Sequence, residues 1–149
     1  MVGERAAVHP SWVTALRCVL AAVLVATGLG KLLDLHGFAD IVASYRVLPD
    51  ALSFAAGTTL SVTELGLAVW LLSGWRLAWA ASLAALLHLA FFVWAALALA
   101  RGLNIPNCGC FGVFLARRLT PLTLVEDGIL FAVALAIVLG ARPGVRQWR

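Results

Sequence analysis

The chain has 149 residues, of which 63% are hydrophobic and 12% charged, with a mean hydropathy of +1.01. A water-soluble domain of this size has no use for so much apolar surface, so the composition points to a single integral membrane domain. The formal net charge of +4 comes mostly from arginines at the ends of apolar runs, which suits anchoring at lipid headgroups and argues against a nucleic-acid-binding patch.

The first predicted span covers residues 12–33 and is too long for the apolar core of a signal peptide, so it is read as a retained helix. Arg17 can snorkel to the interface near its start. Lys31 and Asp34 share a helix face near its end, where a local ion pair is plausible. Cys18 lies within this span and is expected to be a small buried hydrophobe. Over residues 35–48, Phe38, Ile41, Val42 and Tyr45 recur at helical spacing with polar residues between them, the pattern of an amphipathic interfacial helix ended by Pro49.

The second span, 51–72, carries Gly57, Ser61, Glu64 and Ala68 on one stripe that should face the bundle. A carboxylate at that depth costs about 3 kcal/mol unless paired or protonated, so Glu64 is expected to have a buried partner. The third span, 77–100, is uncharged, and His88 near its middle is the expected partner of Glu64 by hydrogen bond or proton exchange. The fourth span, 120–141, opens with Pro121 in its first turn. Thr120, Thr123 and Asp127 form a polar stripe along it. Lys31 is expected to lie at a depth similar to that of Asp127 and to pair with it across the bundle. The fold expected is therefore all-α: a four-transmembrane-helix bundle with an amphipathic helix between spans 1 and 2.

Between the third and fourth spans lies Pro106-Asn107-Cys108-Gly109-Cys110-Phe111-Gly112, where the chain stops being hydrocarbon-like. Two thiols one residue apart can cycle between dithiol and disulfide, and a bridge closing so small a loop contributes little stability, so a redox role for Cys108 and Cys110 outweighs a structural staple. Four spans place both termini on one side. The positive charges hardly discriminate between the two orientations, and the Cys loop is assigned to the extracytoplasmic side of the cell membrane because a redox disulfide is most useful in an oxidising compartment.

The order of Lys31 and Asp34, Phe38, Tyr45 and Leu48-Pro49, Glu64-Leu65, Arg101-Gly102 and Cys108-Gly109-Cys110-Phe111-Gly112 resembles the MauE family of methylamine-utilisation membrane proteins, grouped with DoxX-like redox-associated membrane proteins. The resemblance covers nearly the whole chain. It implies thiol-disulfide exchange through Cys108 and Cys110 in extracytoplasmic protein maturation, with a thioredoxin-like partner of the MauD type and a client of the methylamine dehydrogenase type. Lys31, Glu64 and Asp127 match polar positions of the family, and with His88 they form the expected supporting set. No cofactor motif is evident. Membrane disulfide generators such as DsbB and vitamin K epoxide reductase homologues use two cysteine pairs and a quinone, whereas this chain has one pair and a distant Cys18, so a quinone is left open as acceptor. A noncatalytic scaffold or assembly factor is the alternative. Soft-metal handling by the two thiolates with His36 ranks third.

Overall fold

In a bilayer every backbone N–H and C=O must find its partner within the protein, which makes long apolar stretches helical. The computed structural model describes residues 9–141. It contains α1 (Ser11–Leu32), α2 (Leu35–Ser44), α3 (Asp50–Ser73), α4 (Leu77–Ala100) and α5 (Pro121–Ala141). Helices α1, α3, α4 and α5 are each long and apolar enough to span a membrane, and the protein is a multi-pass helical membrane protein. Local chemistry sets the boundaries. Pro49 precedes the first residue of α3, Gly74 ends that helix in the left-handed conformation, and Pro121 occupies the first position of α5. Arg5, Arg142, Arg146 and Arg149 of the charge count lie outside the described residues.

Helix α1 packs between α3 and α5, α4 packs chiefly on α5, and of the neighbouring spans α3 and α4 are the most loosely packed. Away from the Cys loop the interior is apolar: Leu20, Leu24, Leu71, Leu77 and Ile137 are fully buried among Ala80, Ala81 and Ala84 of α4. These alanines present little bulk, so α4 can approach its neighbours closely where lipid offers no hydrophobic drive to association. A second, smaller cluster gathers Tyr45, Ala95, Ala98, Ile105, Cys108 and Leu119 at the loop end. The stripe of Gly57, Ser61, Glu64 and Ala68 is buried throughout. Cys18 differs from expectation: the buried positions of α1, from Val13 to Lys31, follow another face, and Cys18 is exposed beside Val19 on the outward one.

The amphipathic segment forms α2, whose apolar residues Phe38, Ala39 and Val42 are buried. Phe38 lies over Gly57, and the His36 ring sits 4.9 Å from that of Phe54, so α2 covers the first turns of α3. Asp34 does not pair with Lys31. Its carboxylate instead caps α2, accepting a hydrogen bond from the Gly37 N–H at 2.8 Å. Because α2 occupies the upper part of α3, α1 ends opposite the middle of that helix, and Lys31 comes level with Glu64.

The loop of residues 101–120 is tied across its base by Cys108 N–H to the Arg117 carbonyl at 2.7 Å and Leu119 N–H to the Ile105 carbonyl at 3.0 Å. Its tip rests on α1 through two glycines. A Cβ on Gly112 would run into the Gly30 carbonyl, and one on Gly30 would strike the carbonyl of Phe111. Gly112 also has φ +69°, where side chains are strained. Gly112→Ala is therefore expected to lower stability by at least about 2 kcal/mol in thermal unfolding of the reconstituted protein. Gly102→Ala supplies the contrast: φ is +68° but nothing stands near its Cβ, so only the conformational cost of about 1 kcal/mol is expected.

Candidate functional site

The two cysteine sulfurs lie 2.7 Å apart as free thiols. An Asx turn shapes the pair. The Asn107 side chain accepts from the Gly109 N–H at 3.0 Å and donates to the Gly112 carbonyl at 3.1 Å, while Gly109 takes φ +77°. The reversal turns Cys110 back beside Cys108. Tyr45, at the end of α2, donates its hydroxyl to the Cys108 carbonyl at 2.8 Å, and Arg101 donates to the carbonyls of Tyr45 and Arg46 at 3.0 and 3.3 Å. Loop, α2 and the end of α4 are thus joined around the thiols.

The two thiols differ electrostatically. A hydrogen bond from the Cys110 thiol, with the Cys110 N–H and the positive charge of Arg117, lowers the Cys108 pKa to about 6 against the opposing effect of burial. Cys110 is pushed far up, because it holds that hydrogen bond, is itself buried in part, and faces the Cys108 charge. The pair therefore carries one thiolate, at Cys108, and one thiol, at Cys110. Exposure runs the other way: Cys108 is buried and Cys110 half-buried. Of the three arginines that flank the motif, Arg117 turns back toward it. Its guanidinium stands 5.7 Å from the centre of the Phe111 ring and is held by both carboxylate oxygens of Glu126, at 2.8 and 2.5 Å. Arg118 is exposed.

Deeper in the bundle, Lys31 is 3% exposed and Glu64 1%, and the Lys31 ammonium donates to Glu64 at 2.5 Å. The ammonium also lies 5.6 and 5.2 Å from the ring centres of Phe38 and Phe91, which adds cation–π attraction in a desolvated place. His88, 4% exposed, has Nδ1 3.6 Å from Asp127. That distance is beyond a hydrogen bond, and neither ring nitrogen forms one. The sequence-based pairing is corrected in both halves: Lys31 pairs with Glu64 rather than Asp127, and His88 faces Asp127 rather than bonding to Glu64. The reason is the length of α1 noted above, which lowers Lys31 to the level of Glu64, while His88 and Asp127 meet on the closely packed faces of α4 and α5.

Under the Cys loop lies one cavity of about 750 Å³, walled mainly by apolar side chains from all five helices. The structure brings Cys108, Cys110, Lys31, Glu64, His88 and Asp127 to its surface. His36 lies elsewhere, on the outer side of α2 against Phe54. Among the described residues no three His, Cys, Asp or Glu side chains cluster as metal ligands. The sequence reading did not anticipate the roles of Asn107 and Tyr45. Tyr45 carried a signal, as the only tyrosine in the chain standing on the buried face of the amphipathic helix.

Residues 10–140 match the family profile described as Methylamine utilisation protein MauE. The chain belongs to the MauE family. It is 36% identical over 133 residues to a methylamine utilization protein MauE of Paracoccus denitrificans, covering 89% of this chain and 72% of that one. It is 35% identical to its counterpart from Paracoccus versutus, with 87% and 72% covered. No solved structure matches.

Two outcomes are expected. Lys31→Met and Glu64→Leu should each destabilise the protein by roughly 3–5 kcal/mol, the cost of leaving one charge buried alone. The double variant should recover much of the loss, and Lys31→Met with Asp127→Leu should not, as read by thermal unfolding in lipid. A depressed pKa places the Cys108 thiolate above about pH 6 and removes it below. Alkylation of reduced Cys108, followed by mass spectrometry, should therefore have its midpoint near pH 6 and move up toward the ordinary thiol value of about 8.5 in Cys110→Ala.

Proposed function

We propose that this MauE-family protein carries out thiol-disulfide exchange through Cys108 and Cys110, in the service of extracytoplasmic protein maturation. The observation that carries the reading is the division of labour in the pair: one buried, stabilised thiolate beside one more accessible, high-pKa sulfur. In the disulfide state an incoming thiolate attacks the accessible Cys110 sulfur. The S–S bond breaks, and its electron pair leaves on Cys108, where the Cys110 N–H and Arg117 support the charge. A low-pKa leaving thiol accelerates such exchange. A second thiol of the partner then attacks its own sulfur in the mixed disulfide. The partner departs oxidised, and Cys110 is released as a thiol with two electrons retained in the pair.

A thioredoxin-like protein of the MauD type is the proposed partner, with the loop on the extracytoplasmic side and both termini in the cytoplasm. The names of the Paracoccus relatives support a place in methylamine utilisation, and a dehydrogenase with many disulfides is a suitable client. The ion pair of Arg117 and Glu126 contributes by holding the guanidinium near the thiolate without burying it.

The mechanism predicts an asymmetry in trapping. In Cys108→Ala membranes, Cys110 can still join an oxidised partner by attacking its disulfide, and these mixed disulfides should accumulate on non-reducing gels because the attack of Cys108 on the Cys110 sulfur, which would release the reduced partner, is missing. In Cys110→Ala the yield should fall at least several-fold. Equal trapping by both variants would refute the assignment of Cys110 as the entry sulfur, and trapping by neither would refute exchange itself.

A further inference from the structure

A pair that oxidises a partner is left with two electrons and must discard them before it can act again. The cavity beneath the loop has a composition that answers this need. Its walls include Phe38, Leu60, Phe91 and Trp94, and its volume of about 750 Å³ falls in the range of small-molecule sites. It reaches the outer surface between α3 and α4, the most loosely packed of the neighbouring spans, where the lining residues Thr59 and Ala90 are exposed. A molecule dissolved in the bilayer can enter there.

The cavity surface is mostly apolar, and its buried polar groups lie deep. His88 is 96% buried by the exposure given above, lines the cavity, and has no hydrogen-bond partner at either ring nitrogen. The second oxygen of Glu64 is likewise without a partner. A buried imidazole whose Nδ1 meets only the Asp127 carboxylate at 3.6 Å, and whose Nε2 meets nothing, is costly, and a lipid acyl chain brings nothing that accepts an N–H. The occupant must therefore be apolar, flat enough to lie against aromatic rings, furnished with carbonyl oxygens, and able to take two electrons from a dithiol.

We infer that the cavity is a binding site for a lipid-soluble quinone, which reoxidises the Cys108/Cys110 pair. The inference rests on the exchange reading above. The Cys108 thiolate and the Cys110 thiol together give two electrons and one proton to the quinone ring, and the sulfurs join. The second proton replaces the one that Cys108 lost on ionising, and it enters through the N–H donors at His88 and Lys31. The products are one disulfide and one quinol. Lys31 stays anchored to Glu64, so its remaining N–H groups are held in place to donate to a quinone oxygen.

The test uses the full-length protein in lipid nanodiscs, reduced, freed of reductant and kept anaerobic, with decyl-ubiquinone as the probe. One quinol should appear for each Cys108–Cys110 disulfide found by mass spectrometry. His88→Leu should slow quinol formation at least tenfold and His88→Gln should restore part of the rate by supplying an N–H donor, each rate being taken relative to the same variant's exchange with dithiothreitol. Binding is read separately in the Cys108→Ala/Cys110→Ala double variant, whose thermal unfolding should rise with decyl-ubiquinone, and less so when His88→Leu is added. Wild type that exchanges with dithiothreitol but neither reduces nor binds the quinone overturns the quinone site and leaves the exchange reading standing. Protein that binds the quinone but does not exchange with dithiothreitol overturns the exchange reading, and with it the reoxidation step. A rate unaffected by His88→Leu overturns the donor assignment on which the site was argued.

Discussion

A lysine and a glutamate held against each other inside hydrocarbon constrain most of what surrounds them. Either charge alone would cost several kcal/mol, so α1 and α3 must be set at a relative height that brings Lys31 to Glu64. That height leaves the upper turns of α3 without α1 beside them. The chain fills the gap with α2, whose Phe38 covers both Gly57 and one side of the Lys31 ammonium. The same offset brings the last turn of α1 under the Cys loop, where Gly30 and Gly112 allow backbone to meet backbone. One buried pair thus fixes the floor of the cavity, the placement of α2 and the seat of the thiols.

The molecule divides along its length. Leucine, isoleucine and alanine close one end into a solid core, and the other end is hollow with aromatic walls. Rigidity in the first half gives the second something to be built on: α4 and α5, locked through small residues, carry His88 and Asp127 to the cavity at fixed positions. The hollow half keeps its shape through a few directed bonds at the rim, among them Tyr45 to the Cys108 carbonyl and Arg101 to the end of α2.

The spans were legible in the sequence to within a residue or two, because length and hydropathy alone decide whether a helix can cross lipid. The thiol loop was legible too, since Cys108-Gly109-Cys110 interrupts the only long polar stretch between spans. The partners of the buried charges were not. Depth was inferred by counting from span ends as if all helices started level, and α2 breaks that assumption by standing in for the upper part of α1. Periodicity correctly turned Glu64 inward but carries no information on which neighbouring side chain shares its height. Asn107 was equally hidden, and so was Glu126 as the partner of Arg117, because an Asx turn and an ion pair reaching over nine residues depend on loop geometry that composition does not encode.

The contacts that complete the thiol site join residues far apart in the chain: Tyr45 with Cys108 across 63 positions, and Arg101 with Tyr45 across 56. Synthesis delivers them in sequence, from the N-terminus. When α1 enters the membrane, Lys31 has no Glu64 and must lean toward the interface until α3 arrives. The cysteines emerge later still, before α5 exists to supply Glu126 and the wall bearing Asp127. A nascent chain therefore carries Cys108 and Cys110 side by side before the groups that distinguish them are all made, and the inequality of the two sulfurs is complete only once α5 has packed.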